Sequence, residues 1–166
     1  MRHQLDILIV RHAIAFEHDP LRWPDDAERP LTMEGEVAFR KAARGLAMLV
    51  DPPAVQLSSP FVRAWRTAEI LTEEAGWPPP EPSKALEAGR DAHGVLEELN
   101  DIHGGPIVAL VGHEPMLSEL IGLLVGGGNI EMKKGGIARV DAHSVNPGGG
   151  TLRWLIPPKV LRAARR

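Results

Sequence analysis

The chain has 166 residues, no cysteine, 43% hydrophobic and 25% charged residues, and a formal net charge of −3, the profile of one ordinary globular domain with a full core. The absence of cysteine excludes disulfides, thiolate catalysis and cysteine-based zinc sites. The charge argues against a nucleic-acid partner, which needs a concentrated basic face, and no apolar run approaches the ~18 residues of a membrane span.

The first strand is expected at Ile7–Val10, running into Arg11-His12. Asp6 and then Arg11-His12 interrupt what could have been a signal-peptide core, and with no cysteine the expected setting is cytoplasmic. Residues 13–30 read as a long irregular connection, a length that is often functional. A helix follows Pro30-Leu31-Thr32, with Thr32 as N-cap and Glu34 and Glu36 favouring the positive helix start. It continues to about Val50, where Pro52-Pro53 stops it. Ala54-Val55-Gln56-Leu57 reads as a second strand, running into Ser58-Ser59-Pro60. The next helix is expected to take Ser59 as cap and Pro60 as its first residue, to place Ala64, Trp65, Ala68 and Leu71 on one side, and to end at Gly76.

Ser83-Lys84-Ala85-Leu86 reads as a third strand ending at Glu87, followed by a helix over roughly Ala92–Asn100. Ile107–Val111 is continuously apolar, as a buried parallel strand should be, and runs into Gly112-His113-Glu114. A further helix is expected from near Pro115 to the Gly126-Gly127-Gly128 cluster. Ala138, Val140 and Ala142 alternate with Arg139, Asp141 and His143, which predicts a strand with one wet face. Asn146-Pro147-Gly148-Gly149-Gly150 signals a turn, and Thr151–Ile156 returns as an antiparallel strand. The expected fold is a three-layer α/β/α sandwich. Its mixed, mainly parallel sheet has about six strands, with an antiparallel C-terminal hairpin strand. Residues 1–158 read as a single domain and 159–166 as a short basic tail, solvated or helical.

In an open parallel sheet the carboxyl ends of the strands line the ligand crevice. Arg11-His12, Ser59 with Arg63 one turn on, Glu87 and His113 all fall at such ends, so residues spread over a hundred positions can meet in one pocket. Two histidines and two arginines converging there suggest phosphoryl chemistry. A cation such as Arg11 beside His12 keeps the imidazole neutral and hence nucleophilic, and its planar fork can grip phosphate oxygens. Arg63 lies in the first turn of its helix, beside free N–H groups and the positive dipole end. Zinc, phosphate-loop, dinucleotide and nucleophile-elbow motifs are all missing, and no histidine pair sits at metal-binding spacing on a credible helix face. Neither metal nor cofactor is expected. Lys133-Lys134 reads as a solvated loop.

Four segments also resemble a known family. Leu8-Ile9-Val10-Arg11-His12-Ala13 resembles a strand ending in Arg-His-Gly, with alanine in the third place. Arg29-Pro30-Leu31-Thr32-Met33-Glu34-Gly35 is similar to an Arg-Pro-Leu-Thr-x-x-Gly element, and Ser59-Pro60-Phe61-Val62-Arg63-Ala64-Trp65-Arg66-Thr67-Ala68 to a Ser-Pro-x-x-Arg-Ala-x-x-Thr-Ala element. Val111-Gly112-His113-Glu114-Pro115 resembles the segment around a second histidine. Together, in this order, they resemble the histidine phosphatase superfamily (phosphoglycerate mutase-like), in particular its small SixA-type phosphohistidine phosphatases, over about Leu5 to Pro158.

The resemblance implies that His12 is the nucleophile, transiently phosphorylated, and that Arg11, Arg63 and His113 bind the phosphoryl group. It leaves the general acid open. Glu87 is the nearest candidate and Asp91 follows it, each equally readable as a surface carboxylate. Without a dedicated acid, and with no long insertion to enclose a small metabolite, the expected substrate is a phosphohistidine on another protein. The alternatives are a phosphomonoesterase on a small phosphorylated substrate, with Glu87 or Asp91 as acid, and a non-catalytic phosphate-binding module. A phosphomutase fits less well, since it needs an enclosed pocket.

Overall fold

A computed structural model describes residues 4–102 and 106–164. The first three residues and the last two of the basic tail lie outside the described residues. The chain alternates strand and helix, and six strands form one sheet. β1 (Leu5–Arg11), β2 (Val55–Ser58), β3 (Glu81–Pro82) and β4 (Ile107–Gly112) are parallel; β5 (Ile137–Ala142) and β6 (Gly150–Ile156) add an antiparallel hairpin. The spatial order is β3-β2-β4-β1-β5-β6.

The strand runs are continuously apolar because both faces are covered. Side chains alternate across the sheet. Ile7, Ile9, Val108 and Leu110 pack on one face with Val95, Leu96 and Leu99 of α3 (Ala92–Asn100) and Leu117, Leu120, Ile121 and Leu124 of α4 (Met116–Val125). Leu8, Val10, Ala109 and Val111 pack on the other with α1 (Met33–Ala47), α2 (Val62–Ala75) and Leu161 of α5 (Pro158–Ala163). α1 starts as the sequence predicts: Thr32 Oγ1 accepts from Gly35 N–H. Gly76 and Gly126 end α2 and α4 in the left-handed region, where a side chain would be strained.

Three expectations need correction. Ser83–Leu86 is not a strand: β3 is only Glu81–Pro82 at the sheet edge, and Lys84–Leu86 is a single 3₁₀ turn. The preceding prolines lack the N–H groups that would extend the ladder. Ser59 is not the cap of α2, which begins two residues beyond Pro60 with Phe61 in the cap position. The Ser59 hydroxyl is occupied by Phe61 N–H, at 3.2 Å, and by His113. α1 stops at Ala47, short of Val50, because its end tightens into a 3₁₀-type bond from Met48 N–H to Gly45 C=O.

β1 connects through α1 to β2 on one side, whereas β4 connects through α4 to β5 on the other. The neighbouring ends of β1 and β4 are therefore the point where the winding reverses, the place an open α/β sheet offers a ligand.

Candidate active site

Arg11 at the end of β1 is in register with Gly112 at the end of β4. His12 N–H donates to Gly112 C=O at 3.0 Å, so His12 and His113 stand side by side. Their ring centroids are 5.2 Å apart at 57°. Two further contacts hold the β1 exit. Ala13 N–H donates to Thr67 Oγ1 at 3.0 Å, and that hydroxyl donates to Arg63 C=O at 2.7 Å, tying the strand end to α2. Gly35 of the Arg-Pro-Leu-Thr-x-x-Gly segment lets α1 touch the loop that leaves β1: a Cβ there would lie 2.2 Å from Ile14 O.

His12 Nδ1 lies 2.7 Å from Ala13 O. A carbonyl can only accept, so Nδ1 carries the hydrogen and Nε2 carries the lone pair. His113 Nε2 lies 2.9 Å from Ser59 Oγ. That hydroxyl already accepts from Phe61 N–H, and its own hydrogen is available to Nε2. In that arrangement the His113 hydrogen sits on Nδ1. Arg11 donates through Nη1 to Met132 C=O at 2.6 Å. Arg63, in the first turn of α2, donates through Nη1 to Asp26 C=O at 2.8 Å and through Nη2 to Asp26 Oδ2 at 2.9 Å. Three of these groups keep a buried nitrogen without a hydrogen-bond partner among the described residues: Arg11 Nε and Arg63 Nε, which can only donate, and His113 Nδ1, a donor in the tautomer just described. A buried unsatisfied polar group is costly and asks for an explanation. An oxyanion is the ligand that three such donors fit.

Both imidazoles are held neutral. Burial, opposed by the Ala13 carbonyl bond and reinforced by the charges of Arg63, Arg11 and Lys134, lowers His12 to about 3. Burial, with the neighbouring His12 and Arg63, lowers His113 to about 2. From sequence the neutral state is expected from the cation beside His12, yet desolvation is the larger cause and Arg63 precedes Arg11 among the charges. Burial also lowers both arginines, which nonetheless stay charged.

The four residues expected to meet do so. Glu87 follows the 3₁₀ turn and pairs with Arg90 at 3.1 Å, and Asp91 caps α3 by accepting from His93 N–H. In the sequence, Asp26, Thr67 and the Met132 carbonyl carry no signal of a role, and Ser59 reads as a helix cap. Only the acidic pair Asp25-Asp26 in a long loop hinted at the first. Of Lys133-Lys134, Lys133 pairs with Glu131, whereas Lys134 acts electrostatically on His12. A groove of about 750 Å³ opens beside the site at Glu114-Pro115 and follows α4, bordered by Asp91, His93, Ser118, Leu123 and Ile130. It does not include the two rings.

A family model of the histidine phosphatase superfamily (branch 1) matches residues 7–93, and the chain belongs to that superfamily. Within it the chain is of the SixA type and is a phosphatase. It is 28% identical to the protein histidine phosphatase SixA in a tungstate complex, with a TM-score of 0.83 over 95% of this chain and 99% of that one. It is 31% identical, over 92% of its length and 100% of the relative's, to an uncharacterised protein of a Picosynechococcus species. The likeness to a mycobacterial glucosyl-3-phosphoglycerate phosphatase is one of fold: 13% identity and a TM-score of 0.68 over 90% of this chain and 97% of that one.

Proposed function

We propose that the protein hydrolyses phosphohistidine on another protein, through a phosphoenzyme on His12. The Nε2 lone pair attacks phosphorus in line, forming the N–P bond as the bond to the substrate's imidazole breaks. Water then attacks the phosphohistidine and releases phosphate, two easier steps in place of one. Arg11, Arg63 and His113 bind the equatorial oxygens, where this chemistry needs placed positive charge and preorganised donors. As the oxyanion arrives, its charge favours the protonated form of His113.

The observation that carries this reading is the set of three buried, unpartnered donors beside a neutral imidazole whose tautomer presents Nε2. The choice of substrate is supported by how the nearby carboxylates are used. Asp26 is held far below the usual carboxylate range, chiefly by its bond from Arg29, and has no proton to give. Glu87 faces Arg90 and Asp91 caps a helix. A phosphoimidazole protonated at its far nitrogen leaves as a neutral ring, whereas an alkoxide needs a general acid, worth ~10²–10⁴-fold. The similarity to a protein histidine phosphatase points the same way.

One contact favours a phosphomonoesterase using Glu87. Leu86 O lies 3.3 Å from where a Cβ on Gly112 would stand, so Glu87 follows at the crevice edge. Turnover of a phosphohistidine protein should be compared with that of sugar and nucleotide phosphates, together with Glu87→Gln. A preference for the phosphohistidine protein, and Glu87→Gln without effect, is the expected result. Preference for an alkyl phosphate that Glu87→Gln abolishes would establish the rival. A denaturing quench at alkaline pH should trap phosphate on His12 in the wild type and none in His12→Ala, which should lose on the order of 10⁴-fold in rate or more. Phosphate binding without label would mark a non-catalytic module.

A further inference from the structure

The irregular 13–30 connection and Arg29 have no part in the reaction as written, yet both converge on Arg63. Asp26 takes both terminal nitrogens of that guanidinium, Nη1 with its backbone carbonyl at 2.8 Å and Nη2 with Oδ2 at 2.9 Å. Asp26 is itself fixed. Arg29 donates from Nε to Asp26 Oδ1 at 2.7 Å and anchors its own Nη1 on Phe16 C=O at 2.6 Å. The 3₁₀ turn that starts at Asp26 is capped by Asp25, which accepts from Ala27 N–H. The Arg63 side chain is 4% exposed and that of Arg29 13%, while that of Asp26 between them is 33% exposed, so both guanidiniums are sheltered from water and the carboxylate that joins them is partly wet.

We propose that Asp26, clamped by Arg29, is a positioning residue that turns Arg63 so that its Nε edge, rather than its terminal Nη pair, meets the phosphoryl group. This rests on the reading of His12, Arg11, Arg63 and His113 as the phosphoryl site. A guanidinium carries five N–H donors in one plane. With the Nη1–Nη2 edge pinned at two points, the plane cannot turn about its long axis, and Nε–H is aimed before any ligand arrives. Nε is buried and unpartnered among the described residues. Arg11 repeats the arrangement: one terminal nitrogen is held by the Met132 carbonyl and Nε is left over. Donors fixed in advance need no reorganisation during the reaction.

A competing role for the same carboxylate makes the opposite prediction. If Asp26 only dampened the charge of Arg63, its removal would strengthen oxyanion binding. If it positions Arg63, removal weakens binding and slows the chemical step, since a displaced donor costs on the order of 10²-fold. The sign of the change therefore decides.

The test uses tungstate as an oxyanion inhibitor and phosphoramidate as a small substrate, with kcat and KM measured separately. Asp26→Ala should lower kcat by ~10–100-fold and weaken tungstate inhibition by ~10-fold. Asp26→Asn keeps an acceptor oxygen for Nη2 and leaves the backbone carbonyl in place, and should restore most of both. Arg29→Gln, which frees Asp26 without touching Arg63, should shift both in the same direction by less. Unchanged kcat and tungstate affinity in Asp26→Ala alongside a lowered melting temperature would reduce Asp26 to a structural role, and tighter tungstate binding would make it a charge brake; either overturns the proposal. Should Asp26→Ala not fold, full kcat and tungstate affinity in both Asp26→Asn and Arg29→Gln would overturn it, and a graded loss would uphold it. A wild-type protein that turns over phosphoramidate but never labels His12 would sink the phosphoryl-site reading, and this inference with it.

Discussion

His12 and His113 are neutral because they are buried, which couples the site to the stability of the fold. In the unfolded chain each ring takes up a proton near 6.5; in the folded protein His12 does so only near 3 and His113 near 2. Between these values the unfolded state binds more protons. Stability is therefore full above about pH 6.5 and falls as the solution is acidified through that window, with a slope of up to about 1.4 kcal/mol per pH unit for each ring. Urea midpoints measured from pH 7 to 4 should fall more steeply for the wild type than for His12→Ala, by close to one proton's worth. Parallel curves would show that His12 is not held neutral in the folded state. Bound tungstate should flatten the wild-type curve, since an anion at the rings favours their charged form.

At the scale of elements, the packing of α1 is tested by its two close approaches. Gly45 faces α5: a Cβ there would stand 1.9 Å from Leu161 O, and Leu161 is wholly buried. Gly45→Ala must push α5 away and should destabilise the protein by about 1–3 kcal/mol while leaving kcat unchanged. Gly35→Ala meets Ile14 O at 2.2 Å, two residues from His12, and should reduce kcat as well as stability. Equal effects of the two on turnover would contradict the role of Gly35 in seating the β1 exit. These same elements show what could be read from sequence. The apolar runs at Ile7–Val10 and Ile107–Val111, the Thr32 cap and the glycines ending α2 and α4 each have a local cause, and all were legible. Ser83–Leu86 was not, because a two-residue edge strand leaves no periodic pattern. Asp26 was not, because its reach to Arg63 is fixed by the path of an irregular loop, 37 residues away in sequence.

For the whole molecule, the sequence pattern pointed to the carboxyl ends of the parallel strands, whereas the reversal of the winding between β1 and β4 is set by the spatial order of the strands, β3-β2-β4-β1-β5-β6, which chain order alone does not give. The full electrostatics of the crevice required the folded chain: Arg11 from β1, Arg63 from α2 and Lys134 from the loop before β5 all act on His12. An oxyanion bound there stabilises only the folded state. Tungstate at ~100 times its dissociation constant should add about 2.7 kcal/mol, raising the melting temperature by roughly 5–10 °C. Arg63→Ala should lose most of that increment, and an undiminished shift in this variant would place the anion elsewhere. The pairing of Arg11 with Gly112 carries a final implication. The two rings face each other because the backbone ladder aligns them, with no bond between the rings themselves. A slip of one residue between these strands would send them to opposite faces of the sheet. Turnover is thus a sensitive vernier of strand alignment: a variant could keep its secondary structure and its compactness, shift by a single notch, and fall silent.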